Sequence, residues 1–137
     1  MIPYCNDKDI EYQSNILKLI GNLDSAFENM SLIIANKNLK EISSYSKLIY
    51  NICENIINIK APTSFKKVQS NISLGCMIYK KVFNELPHKV FDPRWRQNAS
   101  TRCSTAKKYF ENSHKEIHKI ANKLNKLREN STWRYRN

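Results

Sequence analysis

The chain has 137 residues, of which 41% are apolar and 26% charged, with two glycines, four prolines and a net charge of +11. That length suits one domain with a modest core, and the composition is not that of a disordered chain. The scarcity of turn formers excludes an all-β fold, which needs many tight turns.

The apolar spacing is helical from the start. Ile16, Ile20, Leu23, Phe27, Met30 and Ile34 step by alternating fours and threes, which predicts a first helix over about 7–36. Asn6 or Asp7 is placed to cap it, and Asp7, Asp9 and Glu11 suit its positive end. After the polar break at 36–38, Ile42, Ile49 and Ile56 fall seven apart, with Tyr45, Ile52 and Ile59 on the next row. This second helix ends before Pro62, which is welcome in a first turn and so opens the third. In the third, Phe65, Val68, Ile72, Gly75, Tyr79, Val82 and Leu86 keep the same stride. Gly75 lies within that seam, where it lets a neighbouring helix come close.

Pro87 and Pro93 bracket what reads as the one long irregular connection. A fourth helix follows, capped by Asn98 or Ser100. Its seam is Ala99, Cys103, Ala106, Phe110, Ser113, Ile117, Ile120, Leu124 and Leu127. It is expected to stop near Arg128, which leaves a basic-aromatic C-terminal tail over 131–137 and a single domain over 1–130. The first two breaks are short enough only to turn the chain back, and the longer third need only span neighbours. The expectation is therefore an all-α, antiparallel up-down-up-down four-helix bundle.

The charge is uneven. Residues 1–36 carry two lysines against five acids, whereas residues 99–137 carry ten basic groups against three acids. A basic excess favours anionic partners without choosing among nucleic acid, acidic protein and lipid. Two segments, FDPRWRQN at 91–98 and WRYRN at 133–137, weave rings with arginines. In the expected topology they lie at opposite ends of rods about 45 Å long at 1.5 Å per residue. One compact site does not hold both. Phe91 and Trp95 are expected to cap the open top of the core, with Arg94 and Arg96 in water. Phe91, Arg94, Trp95, Arg96, Trp133 and Tyr135 are the candidate partner-binding residues. Lys108, Lys115, Lys119 and Lys126 fall away from the seam of the fourth helix and, with Arg134 and Arg136, form the candidate anion-binding set.

Little points to chemistry. His114 and His118 stand one turn apart, with Glu111 three residues before the first. Two ligands without a third make a weak metal site, and this register puts all three off the core side. A surface histidine pair is the expectation, and no metal, cofactor, small-molecule substrate or catalytic residue is nominated. The two glycines exclude a glycine-rich phosphate loop.

Counting heights along the rods keeps Cys5, Cys53, Cys76 and Cys103 too far apart for disulfides, so free thiols are expected. That leans towards a reducing, cytoplasmic setting. The start MIPYCNDKDI lacks the charged-then-apolar order of a signal peptide, so export implies a leader already removed. No run of apolar residues is long enough to span a membrane. The leading expectation is a small, basic, non-catalytic bundle that binds a protein partner or a second copy of itself. Sequence-independent nucleic-acid binding along the fourth helix and tail is the alternative, and an exported or surface-attached bundle is the third reading.

Overall fold

A computed structural model describes residues 7–136, with the side chains of Arg128 and of residues 130–136 left out. Among the described residues there are four α-helices: α1 (Asp7–Ala35), α2 (Leu39–Ile57), α3 (Lys66–Lys89) and α4 (Pro93–Arg136). A single 3-10 turn at Thr63–Phe65 leads into α3, and no strand occurs among the described residues.

The ends of the helices follow from local chemistry. α1 closes with Lys37 in the left-handed region at φ 56, so the chain turns within three residues. Asn38 then caps α2, its side chain accepting from the amides of Lys40 and Glu41 at 3.1 and 3.2 Å. Pro62 sets the extended backbone that precedes the 3-10 turn, and Phe65 closes the core beneath it.

The expected seams are the buried rows. On α3, every residue from Phe65 through Leu86 that the stride selects is buried. On α4, Ala99, Cys103, Ala106, Phe110, Ser113, Ile117 and Leu124 are buried, and Ile120 and Leu127 are half-buried. α3 is the hub. Its Gly75 lies against Phe110 and the carbonyl of Ala106 on α4, and its Cys76 thiol sits beside that of Cys53 of α2, both fully buried. Gln69 ties three elements together. Its Nε2 donates to the Ile56 carbonyl at 2.7 Å, and its Oε1 accepts from the Tyr12 hydroxyl at 2.7 Å. Further along, Phe27 of α1 stacks on Tyr79 at 5.6 Å between centroids and meets Phe83 edge-on at 5.9 Å.

Three expectations need correction. The connection between α3 and α4 is not long. Pro87 lies inside the last turn of α3 and Pro93 opens α4, so only Val90, Phe91 and Asp92 connect them. A proline needs no amide partner at the first position of a helix. Asp92, not Asn98 or Ser100, is the cap, accepting from the amides of Arg94 and Trp95 at 3.0 and 3.4 Å. Second, α4 continues to Arg136 instead of stopping near Arg128, because no glycine or proline interrupts it after Pro93. Third, Cys53 and Cys76 are not separated in height. Residues 58–65 close the base of the core and α3 starts only at Lys66, which brings Cys76 level with α2. No disulfide is formed among the described residues. Cys53, Cys76 and Cys103 are buried free thiols, and Cys5 lies outside the described residues.

Candidate functional site: an apolar hollow and an open seam

The close seams of α3 use small side chains, namely Gly75 and Ala106 towards α4 and Cys53 and Cys76 towards α2. α1 carries Phe27, Met30 and Ile34 at the matching places. It lies close to α2 and barely meets α4. Phe27 and Ile34, both on the expected seam, remain half-buried for that reason. A cleft runs down the α1–α4 side in two parts. The upper part is a cavity of about 330 Å³ between Ile34, Leu86, Trp95 and Lys107. The lower part is a wider hollow of about 440 Å³ bordered by Asp24, Glu28, Glu111 and His114. Phe27 and Lys107 border both, and the Lys107 ammonium lies 4.7 Å from the centroid of the Phe27 ring. That cation–π contact is a strap across the cleft.

Electrostatics differ between the two halves. Partial burial raises the Asp24 carboxyl above its ordinary range and Glu28 adds to this, while Lys107 and His114 pull the other way. In the upper half, burial pushes the Cys103 thiol up to about 11. The Tyr79 hydroxyl is buried without a hydrogen-bond partner among the described residues, and burial holds it well above the ordinary phenol range. Its ring lies among Phe27, which borders both halves of the cleft, Phe83 of the upper half and Phe110 of the lower.

A second hollow, about 590 Å³, sits at the end of the molecule where α3 passes into α4. Of the expected partner-binding residues, it gathers Phe91, Arg94 and Trp95, and it adds Leu39 from the start of α2. Arg96 faces the α1–α4 cleft instead. Trp95 is half-buried against the core as expected. Phe91 does not cap the core: it is 50% exposed, because Val90 takes the buried place beside it. Leu39 is 55% exposed. The wall is firmly built. Glu85 Oε2 accepts from Trp95 Nε1 at 2.9 Å and from Arg102 Nη2 at 2.8 Å. Those hydrogen bonds, Arg102's first and then Trp95's, hold the Glu85 carboxyl below its ordinary range.

The expected lysine row is present. Lys108, Lys115, Lys119 and Lys126 are all exposed, directly across α4 from its buried row, and none forms an ion pair among the described residues. They span about 27 Å of helix at 1.5 Å per residue. Trp133, Arg134, Tyr135 and Arg136 belong to the backbone of α4, and their side chains lie outside the described residues. His114 and His118 form an exposed pair with their Nε2 atoms 3.2 Å apart. Among the described residues no group of three or more His, Cys, Asp or Glu is placed to hold a metal ion. No described helix is long and apolar enough to cross a membrane.

Leu39 and the α1–α4 cleft were not foreseen. Leu39 carries no sequence signal beyond being an apolar residue next to the Asn38 cap. The cleft is signalled only by bulky residues on α1 opposite a lysine. No protein family, no curated protein and no solved structure matches the chain.

Proposed function

We propose that this is a non-catalytic binding protein whose partner is another protein, docked on the Leu39–Phe91 hollow. One observation carries the reading. Two large apolar side chains from different elements are half exposed around one concave surface, with Arg94 at its rim. Apolar anchors beside an arginine are the usual centre of a protein interface. The Asp92 cap and the Glu85–Trp95–Arg102 cluster hold the surface rigid before binding, which lowers the ordering cost of association.

The reading takes the helices to run in alternating directions, so that the start of α2 and the α3–α4 connection share one end. Residue pairs support that order. Tyr12 meets Gln69 while Phe27 meets Tyr79, so α1 and α3 ascend together. Gly75 faces Phe110 while Glu85 faces Arg102, so α4 descends.

Phe91→Asp with Leu39→Asp tests the interface, because both residues are already half in water and neither carries the core. The double variant keeps its helicity and thermal midpoint but loses capture of the partner that the parent protein retains, or loses self-association in sedimentation if that partner is a second copy. Retained capture at full strength refutes the reading.

A second reading, sequence-independent binding of nucleic acid along α4, is favoured by the lysine row, which forms no ion pair among the described residues. It predicts affinity that falls steeply with salt. Lys115→Glu with Lys119→Glu abolishes that binding and leaves the fold intact; unchanged affinity clears α4 of the role.

A further inference from the structure

The upper half of the α1–α4 cleft has the features of a small-molecule site. Its volume of about 330 Å³ lies at the lower end of the range of about 300–1,000 Å³ typical of ligand pockets. Its floor and walls are apolar, built from side chains such as Met30, Phe83, Leu86 and Ala99. The polar groups are cations and hydroxyls. Arg96 and Lys107 supply two cations, Ser31, Ser100 and Ser104 supply hydroxyls, and no carboxylate borders this half. The acids of the cleft all border the lower half, on the far side of the Phe27–Lys107 strap.

We infer that this cavity binds a single-chain amphiphilic anion, its acidic head held by Lys107 at the strap and its apolar chain lying along the floor towards Trp95, with Arg96 at the far end adding to the positive potential of the cavity. A partner helix does not fit the space. A helix with its side chains is about 10–12 Å across, whereas this hollow is closed at one end by the Lys107–Phe27 strap and at the other by Val90 and Trp95. A neutral apolar ligand engages neither cation, and no carboxylate stands on this side of the strap. With an acidic head, Lys107 exchanges its contact with the Phe27 ring for a charge-assisted hydrogen bond, the stronger interaction. The cavity length suits a medium chain. Trp95 to Lys107 spans about 18 Å at 1.5 Å per residue. The carboxylate and phosphate heads of such amphiphiles share this chemistry.

The test uses the full chain carrying Trp133→Phe, so that Trp95, which borders the cavity, is the only tryptophan. Dodecanoate, dodecyl phosphate and dodecanol are titrated separately below their aggregation concentrations, with Trp95 emission and calorimetry as readouts. Saturable binding by either anion, at least tenfold tighter than dodecanol, is expected, and whichever anion binds tighter names the head group. Arg96→Gln with Lys107→Gln reduces the anion to the level of dodecanol. Ala99→Phe fills the cavity and abolishes binding. If that variant fails to fold, Ser100→Phe at the exposed rim serves instead. Phe91→Asp leaves binding unchanged, since Phe91 does not border this cavity, so loss of the protein-docking reading does not carry this one with it. Absence of saturable binding overturns the inference, as do equal affinities for anion and alcohol or a filled variant that binds like the parent.

Discussion

Gly75 of α3 and Phe110 of α4 are in close contact: a Cβ added at Gly75 would stand 2.9 Å from the ring's Cζ and 3.2 Å from the carbonyl oxygen of Ala106. The ring has no free path away, because Tyr79 packs edge-on against it at 5.3 Å. The carbonyl is backbone and moves only with the helix. Gly75→Ala therefore sets a helix-propensity gain of about 1 kcal/mol against overpacking of about 1–3 kcal/mol. The expected result is a lower thermal midpoint by several degrees. Gly21→Ala is the matched control. It lies exposed within α1 with no neighbour within 4 Å of an added Cβ, so it gains about 0.4–1 kcal/mol. Opposite signs for the two variants in denaturant unfolding check the seam; a stabilising Gly75→Ala refutes it.

Gln69 is the polar centre of the base of the molecule. It is 8% exposed and satisfies both the Tyr12 hydroxyl and the Ile56 carbonyl. Gln69→Leu keeps the bulk and strands both groups, each costing about 1–3 kcal/mol when left buried and unpaired. Tyr12→Phe alone removes one of the two bonds and is milder. In the double variant the Tyr12 hydroxyl is no longer there to be stranded, so the combined loss falls short of the sum. A strictly additive pair in chemical denaturation shows that the two side chains do not share a bond.

The buried rows of all four helices were legible because helical burial depends on a stride that the residues state directly. Ile117, for instance, is fully buried where the fourth row places it. Ile117→Asp puts a charge there and should cost several kcal/mol. The lysine row was legible for the same reason, as it is the complement of the seam. Helix ends were less so. Asp92 competes with Asn98 and Ser100 as a cap, and only its position immediately before Pro93 distinguishes it. The α1–α4 cleft was hidden altogether. Stride gives the direction of a face but not the distance to its neighbour, which here follows from side-chain bulk. Phe27 and Lys107 prop the helices apart at one seam, while Gly75 and Ala106 let them close at another.

Glu85 gives the wall of the Leu39–Phe91 hollow a pH dependence. Its carboxyl is held below the ordinary range by the hydrogen bonds from Arg102 and Trp95. A depressed carboxylate contributes stability that is present above its unfolded value of about 4.3 and is lost as pH falls through the lower folded value. The side chain is 37% exposed, so solvent screens the ion pair and the contribution is below about 1 kcal/mol. Thermal midpoints of the parent and of Glu85→Gln, measured from pH 6 to pH 3, should converge as the pH drops. Trp95 emission should shift over the same window. Curves that stay parallel across that range show that Glu85 does not titrate differently on folding.

The three described thiols should differ in reactivity. Cys53 and Cys76 are fully buried in the α2–α3 seam, and Cys103 is 8% exposed on the wall of the cleft. The thiolate is the reacting form. The neighbouring Cys53 thiol, followed by burial, keeps the Cys76 thiol protonated far above the ordinary range, and Cys103 is pushed up to about 11. Cys103 needs only local opening of the α1–α4 side, where the packing is thinnest, whereas Cys53 and Cys76 need α2 to leave α3. Alkylation of the native protein near pH 8, followed by peptide mass spectrometry, should label Cys103 first. Cys53 and Cys76 should follow together, at a rate set by global unfolding, and their labelling should accelerate with denaturant more steeply than that of Cys103 because more surface is exposed. Labelling of Cys53 or Cys76 ahead of Cys103 would mean that the molecule opens first between α2 and α3, and that the cleft side is the firmer of the two.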